Sequence, residues 1–142
     1  MKIIVDLNVV LDVVQNRVPH YAASAAVLSR ARTREFEAVL PSHAITTIHY
    51  LVAKARDRSA ADLAVDMLLQ HFGIVAADKR IFLAARQLKF RDFEDAAVVS
   101  MAQASASDYV VTRNVQDFAA SPVPAIAPID FLELLPQAPI SA

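Results

Sequence analysis

Three short stretches carry residue types that can do chemistry on a phosphate or hold a cation. Ile3-Ile4-Val5-Asp6-Leu7-Asn8 sets a carboxylate and an amide directly after a β-branched run. A strand that yields to a helix at that point offers unpaired N–H groups, which favour an anion. Arg91-Asp92-Phe93-Glu94-Asp95-Ala96 adds further acids. On a helix Asp92 and Asp95 are three apart and share a face, whereas Glu94 is turned about 100° from Asp95. The third stretch, Thr112-Arg113-Asn114-Val115-Gln116-Asp117-Phe118, reads as a turn with a hydroxyl, an amide and a carboxylate. Each has a plain structural explanation alone: Asp6 and Asp92 as helix caps, Asp95 as a first-turn acid favoured by the helix dipole, Asp117 as a solvated turn residue. Gathered with no Lys or Arg between them, however, three or four carboxylates repel one another unless a cation joins them. The donors are Asp and Asn, and the chain has no Cys, so the oxygen set suits Mg²⁺ or Mn²⁺. Such ions serve phosphodiester hydrolysis by acidifying a bound water and steadying the leaving oxygen.

For these stretches to meet, the elements around them must form a parallel sheet. Lys2 to Val5 reads as a short buried strand, Phe36 to Leu40 as a second, Ile74 to Ala76 as a third, Tyr109 to Thr112 as a fourth, and Ala125 to Ala127 as a short fifth. Between them the pattern predicts helices over Leu7 to Gln15, from Pro19 to about Arg34, and from an N-cap at Ser42 to about Arg56. Ser59 and Asp62 resemble a capping pair for a helix to Phe72, with Gly73 as its stop. Asp78 and Asp92 cap helices to about Lys89 and Ala106, and Pro128 begins a last one through Leu135. Strands alternating with helices predict an α/β domain with a mainly parallel, four- to five-stranded sheet and helices on both faces. Ligands of such a sheet bind outside the carboxyl ends of its strands, which is where Asp6, Asn8, Thr112, Asn114 and Asp117 fall. A single domain over residues 1–136 with a loose tail at 137–142 is expected.

Composition narrows the choice of function. The chain has 142 residues, 56% of them hydrophobic, enough to bury a core without disulfides or a structural metal. The absence of Cys removes thiol nucleophiles, zinc ribbons and iron–sulfur clusters. No apolar window is long enough for a membrane span, and the N-terminus lacks a signal-peptide core, so the cytoplasm is the expected location. A formal net charge of −1 leaves any nucleic-acid contact to a local patch.

Asp6-Leu7-Asn8-Val9-Val10-Leu11, Asp92-Phe93-Glu94-Asp95-Ala96 and Thr112-Arg113-Asn114-Val115-Gln116-Asp117-Phe118, in this order and with Pro128-Ile129-Asp130-Phe131-Leu132 near the end, resemble the PIN domain, in particular the VapC-type ribonuclease toxins and their prokaryotic relatives. The resemblance spans nearly the whole chain. It implies a PIN-like fold and a Mg²⁺- or Mn²⁺-dependent endoribonuclease, often a homodimer neutralised by a small antitoxin protein. Asp6, Asp95 and Asp117 match the metal-binding acids. Asn114 stands where many members carry Asp, and Asn8 and Thr112 match supporting polar positions. The departure is on the helix after Ser42, where His43-Ala44-Ile45-Thr46 is followed by Thr47, Ile48 and His49. His49 occupies the place of an expected Glu. Imidazole is a poor Mg²⁺ ligand and a better one for Mn²⁺; Asp92 or Glu94 could supply the lost charge, and the plain alternative for His49 is a hydrogen-bonded helix residue. His20, His43 and His71 carry no motif and read as surface or cap residues.

Lys79, Arg80, Arg86, Lys89 and Arg91 read either as a solvated helix face or as a grip on RNA phosphates. Ile48, Leu51, Val52, Leu63, Val65, Leu68 and Leu69 are more apolar residues than one helix face needs, and suit either the core or a dimer or antitoxin surface. A degenerate module that binds RNA or a protein without cleavage is the competing function, motivated by His49 and Asn114. A haloacid-dehalogenase-type phosphatase is disfavoured, because Asn8 stands where that chemistry needs an acid.

Overall fold

The computed structural model describes residues 1–137; from residue 138 on, the expected tail lies outside the described residues. Five strands, β1 (Lys2–Val5), β2 (Glu37–Pro41), β3 (Gly73–Val75), β4 (Tyr109–Val111) and β5 (Ala125–Ile126), form one sheet in the order β3-β2-β1-β4-β5. All four pairings are parallel. The helices are α1 (Leu7–Val14), α2 (Tyr21–Arg32), α3 (Ser42–Ala55), α4 (Arg58–His71), α5 (Lys79–Leu88), α6 (Phe93–Ala104) and α7 (Pro128–Leu134), with a 3₁₀ turn at Val115–Phe118.

The period-two alternation of the strands sorts the core into two layers. Ile3, Val5, Leu40 and Val111 pack with α1 to α4 and α7 on one face, while Ile4, Val39 and Val110 pack with α5 and α6 on the other. Helices therefore cover both faces, as the continuous Ile-Ile-Val run predicts. Helix α6 is buried without interruption from Ala96 to Ala102, so its small side chains let it lie close to the sheet. The chain winds outward from β1 through β2 to β3, then returns to place β4 on the other side of β1. That reversal opens a crevice at the carboxyl ends of β1 and β4.

Several local expectations shift. Residues 18–20 form a turn closed by Tyr21 N–H donating to the Arg17 carbonyl at 2.8 Å, so α2 begins at Tyr21 rather than Pro19. Ser42 is the first residue of α3 and Pro41 occupies its cap position without a side-chain bond. Helix α4 is capped not by Ser59 but by Asp57, whose carboxylate accepts from Ala60 N–H at 2.7 Å. Gly73 opens β3 rather than only stopping α4; a Cβ there would stand 3.0 Å from Val39 Cγ1, so the close approach of β2 requires the missing side chain. The apolar residues of α3 and α4 divide: Ile48, Val52 and Leu68 enter the core, whereas Leu63 and Leu69 are exposed. Among the described residues no helix is long and apolar enough to cross a membrane.

Candidate metal centre at the sheet switch point

The crevice is lined first by Asp6. Parallel pairing sets Val5 opposite Val111, so the residues that follow, Asp6 and Thr112, leave neighbouring strands side by side. Asp6 N–H donates to the Val111 carbonyl at 2.9 Å. Its carboxylate accepts from Leu7 N–H at 2.8 Å, from the Thr112 hydroxyl at 2.8 Å and from Asn8 Nδ2 at 3.3 Å. Thr112 is fully buried, and its Oγ1 also receives Asn8 Nδ2 at 3.3 Å and Asn114 N–H at 3.2 Å. Asn8 and Thr112 thus fix one carboxylate in one orientation. Burial pushes the Asp6 carboxyl above its usual range, against the lowering effect of the Thr112 and Leu7 hydrogen bonds.

The second group of acids stands on the tip of α6. Asp92 caps the helix, accepting from Glu94 N–H at 2.8 Å and Asp95 N–H at 3.3 Å. Asp95 follows in the first turn, half-buried, and its carboxyl is pushed up to about 7, first by desolvation and then by Asp92, Asp6, Asp117 and Glu94. Those acids, from the end of β1, the first turn of α6 and the turn after β4, are near enough to act on Asp95. Asp117 projects from the 3₁₀ turn and is exposed, its N–H donating to the Asn114 carbonyl at 3.0 Å. Asn114 is exposed and bound to the cluster through its backbone N–H. Among the described residues no Lys or Arg is paired with Asp6, Asp92, Glu94, Asp95 or Asp117.

All-oxygen donors with uncompensated charge fit a hard divalent cation in chemistry. As placed, the side chains border an opening: no three His, Asp or Glu groups among the described residues stand close enough together to enclose an ion.

On α3 the structure moves the histidine chemistry. His49 Nε2 lies 2.7 Å from Asp62 Oδ1 on α4, both half-exposed, so its hydrogen-bond partner lies outside the acid cluster. Thr46 is exposed, and its hydroxyl returns to the His43 carbonyl at 3.3 Å. His43, read from sequence as a surface or cap residue, instead sits in the first turn, directly after β2. Its Nε2 is 3.3 Å from Glu94 Oε1, out of hydrogen-bond alignment and otherwise without a partner. Helical geometry explains the exchange, since six residues turn the side chain through about 600°, leaving His49 about 240° from His43.

Sequence reasoning also passed over Asp12. It is fully buried on α1, and its Oδ2 accepts from Ser24 Oγ at 2.9 Å and Arg113 Nε at 2.7 Å. Arg113 N–H meets Asn8 Oδ1 at 3.4 Å. This buried ion pair clamps the residue before Asn114 to α1 and α2. A mid-helix Asp on an apolar face was the available signal.

Comparison with known proteins agrees with this fold. Three solved structures share the fold at low sequence identity. VapBC2 from Rickettsia felis, bound to a promoter DNA fragment, matches with a TM-score of 0.71 and 15% identity over 89% of this chain and 98% of that one. VapBC-1 from nontypeable Haemophilus influenzae matches at 0.68 and 12%, over 91% and 99% of the two chains. FitAcB from Neisseria gonorrhoeae matches at 0.64 and 17%, over 89% and 98%. No curated protein matches this sequence. The family model described as PIN domain matches residues 2–116, which takes in Asp6, Asp95 and Asn114 and stops just before Asp117, and the chain belongs to the PIN domain family.

Proposed function

We propose that the chain is a Mg²⁺- or Mn²⁺-dependent endoribonuclease, the toxin of a toxin–antitoxin pair. The observation that carries this reading is the gathering of Asp6, Asp92, Glu94 and Asp117 about Asp95 at the switch-point crevice, with no Lys or Arg among the described residues paired to them. Asp6, Asp95 and Asp117 would hold the cation. Bound there, it would acidify a water and stabilise the leaving oxygen of a phosphodiester.

The chain's own residues set up that chemistry. Thr112 and Asn8 present Asp6 in a fixed orientation, so one ligand is ordered before any cation arrives. Asp95, whose carboxyl is pushed up to about 7, is partly protonated at neutral pH and would release that proton on binding a cation. Asn114 stands beside Asp117 as a neutral donor and acceptor that can orient water. The exposed bases Lys79, Arg80, Arg86, Lys89 and Arg91 supply phosphate contacts along the RNA.

A small antitoxin and a second copy of the chain are the expected partners. The VapBC and FitAcB names of the structural neighbours support the former. So does an apolar groove between α2 and α4, bordered by Tyr21, Leu63 and Met67, all of them exposed.

One observation favours the non-cleaving alternative: the acids as placed enclose no point. Purified protein and Asp6→Asn, tested on an RNA panel with Mg²⁺, Mn²⁺ or EDTA, separate the two. Cleavage that needs both metal and Asp6 is expected. Cleavage by Asp6→Asn equal to wild type overturns the assignment, and no cleavage by folded protein in either metal selects the binding module.

A further inference from the structure

Beside the acids lies a feature that phosphodiester hydrolysis alone does not require. Phe82 on α5 and Phe93 at the start of α6 are 42% and 45% exposed. Their rings stand together, centroids 6.1 Å apart and planes 31° from parallel. They line a cavity of about 440 Å³ with His43, Thr47 and Glu94. Two partly exposed aromatic rings side by side make an apolar face on which a planar group can stack. The same cavity has polar lining from Ser42, His43, Thr47 and Glu94, and His43 Nε2 is buried 3.3 Å from Glu94 without an aligned hydrogen bond.

We propose that this cavity is a nucleobase subsite, which takes an unpaired base of single-stranded RNA next to the phosphodiester presented to the acid cluster. The proposal rests on the ribonuclease reading and adds how substrate is held. Charge and position select this occupant. Phe93 and Glu94 line the cavity together, and Glu94 acts on Asp95, so the cavity adjoins the acid cluster. The flanking segment carries Lys79, Arg80, Arg86, Lys89 and Arg91, all exposed and in no ion pair among the described residues. A basic track interleaved with aromatic faces is how proteins follow a single strand: cations hold phosphates while rings take bases. Only an unstacked base offers both its face and its hydrogen-bonding edge. Exposed Glu94 can accept from an exocyclic amino group.

The test measures binding rather than cleavage. Full-length protein in EDTA at low ionic strength is titrated with a fluorescent single-stranded RNA and with an abasic strand of the same length and phosphate count. Phe82→Ala and Phe93→Ala should each weaken binding of the base-bearing strand roughly tenfold or more. Neither should change binding of the abasic strand, and Phe93→Tyr should retain wild-type affinity. Because both rings are exposed, each alanine variant reports alone if the other fails to fold. Alanine variants that bind the base-bearing strand as tightly as wild type overturn the proposal. So does equal loss on both strands, or wild-type protein that prefers neither. Base-dependent binding without metal-dependent cleavage would overturn the ribonuclease reading and leave the subsite standing; cleavage without base-dependent binding would do the reverse.

Discussion

The candidate site has two halves built on opposite terms. At β1 and β4, Asp6 is buried and receives hydrogen bonds from Leu7, Thr112 and Asn8. Across the crevice, Asp92, Glu94 and Asp117 are exposed, Asp95 is half-buried, and the hydrogen bonds among them are the local cap of α6. The first half is held in place by hydrogen bonds that offset only part of the cost of burying Asp6, so it is ordered while its carboxyl stays raised. The second gathers acids that pair with no Lys or Arg among the described residues, His43 standing 3.3 Å from Glu94, and burial and their repulsion raise the Asp95 carboxyl. A cation therefore adds more to the α6 side than to the β1 side, and the fixed carboxylate is the one on which the others would close.

The largest expected effect comes from the uncompensated half. With its carboxyl pushed up to about 7 from 3.8, Asp95 keeps a proton in the folded state that the unfolded chain releases. Between those values the folded chain binds more protons, so metal-free stability falls as pH rises from about 4 through 7. Asp6, raised by burial, acts in the same direction. Asp95→Asn should shrink this slope, leaving only the Asp6 part, and raise the metal-free melting temperature at pH 7. The same variant should lose at least about a hundredfold in Mn²⁺ affinity, because even groups one step removed from a metal cost 10–100-fold. Thermal melts across pH, with and without Mn²⁺, report both. A steeper slope in Asp95→Asn would show that the two halves are not electrostatically opposed.

A smaller effect belongs to the ordered half. Thr112→Val keeps the shape of a fully buried side chain but removes the hydroxyl that donates to Asp6 at 2.8 Å and accepts Asn114 N–H at 3.2 Å. Loss of that donor pushes the Asp6 carboxyl further up and frees its orientation. Mn²⁺ affinity should fall about 10–100-fold, with about 1–3 kcal/mol lost from stability for the stranded groups. Calorimetric titration of metal and denaturant unfolding check the two numbers. Unchanged metal affinity would mean that Asp6 is no anchor.

How far these halves were legible in the sequence follows the same division. The strand-end residues Asp6, Asn8 and Thr112 could be placed because a β-branched run fixes where a parallel strand ends, and the carboxyl edge of such a sheet is shared. Asp92 and Asp95 could be placed by their capping pattern. What periodicity could not supply was the choice among histidines on α3. His43 and His49 lie on one helix, and it is the placing of α4 and α6 beside it that decides that His49 meets Asp62 while His43 faces Glu94. The Asp12–Arg113 clamp was hidden for the same reason, since its partners are 101 residues apart in sequence. Asp57 and Ser59 are both of cap-forming type, and only the bond from Ala60 N–H to the Asp57 carboxylate decides between them.

The smallest predicted effect tests that last distinction directly. If His49 stood in for the missing acid, His49→Gln would remove a ligand and cost as much as Thr112→Val or more. The structure assigns its Nε2 to Asp62 instead, at 2.7 Å in a pair whose side chains are 39% and 57% exposed. Exposed pairs of this kind contribute about 0–1 kcal/mol, and a surface exchange clear of the crevice usually stays within about twofold in any equilibrium. Mn²⁺ affinity and RNA cleavage by His49→Gln should therefore match wild type within about twofold, with only a slight fall in melting temperature. A tenfold or greater loss of Mn²⁺ affinity in the folded variant would place His49 in the metal centre, and would mean that the exposed half of the site reaches further along α3 than its hydrogen bonds indicate.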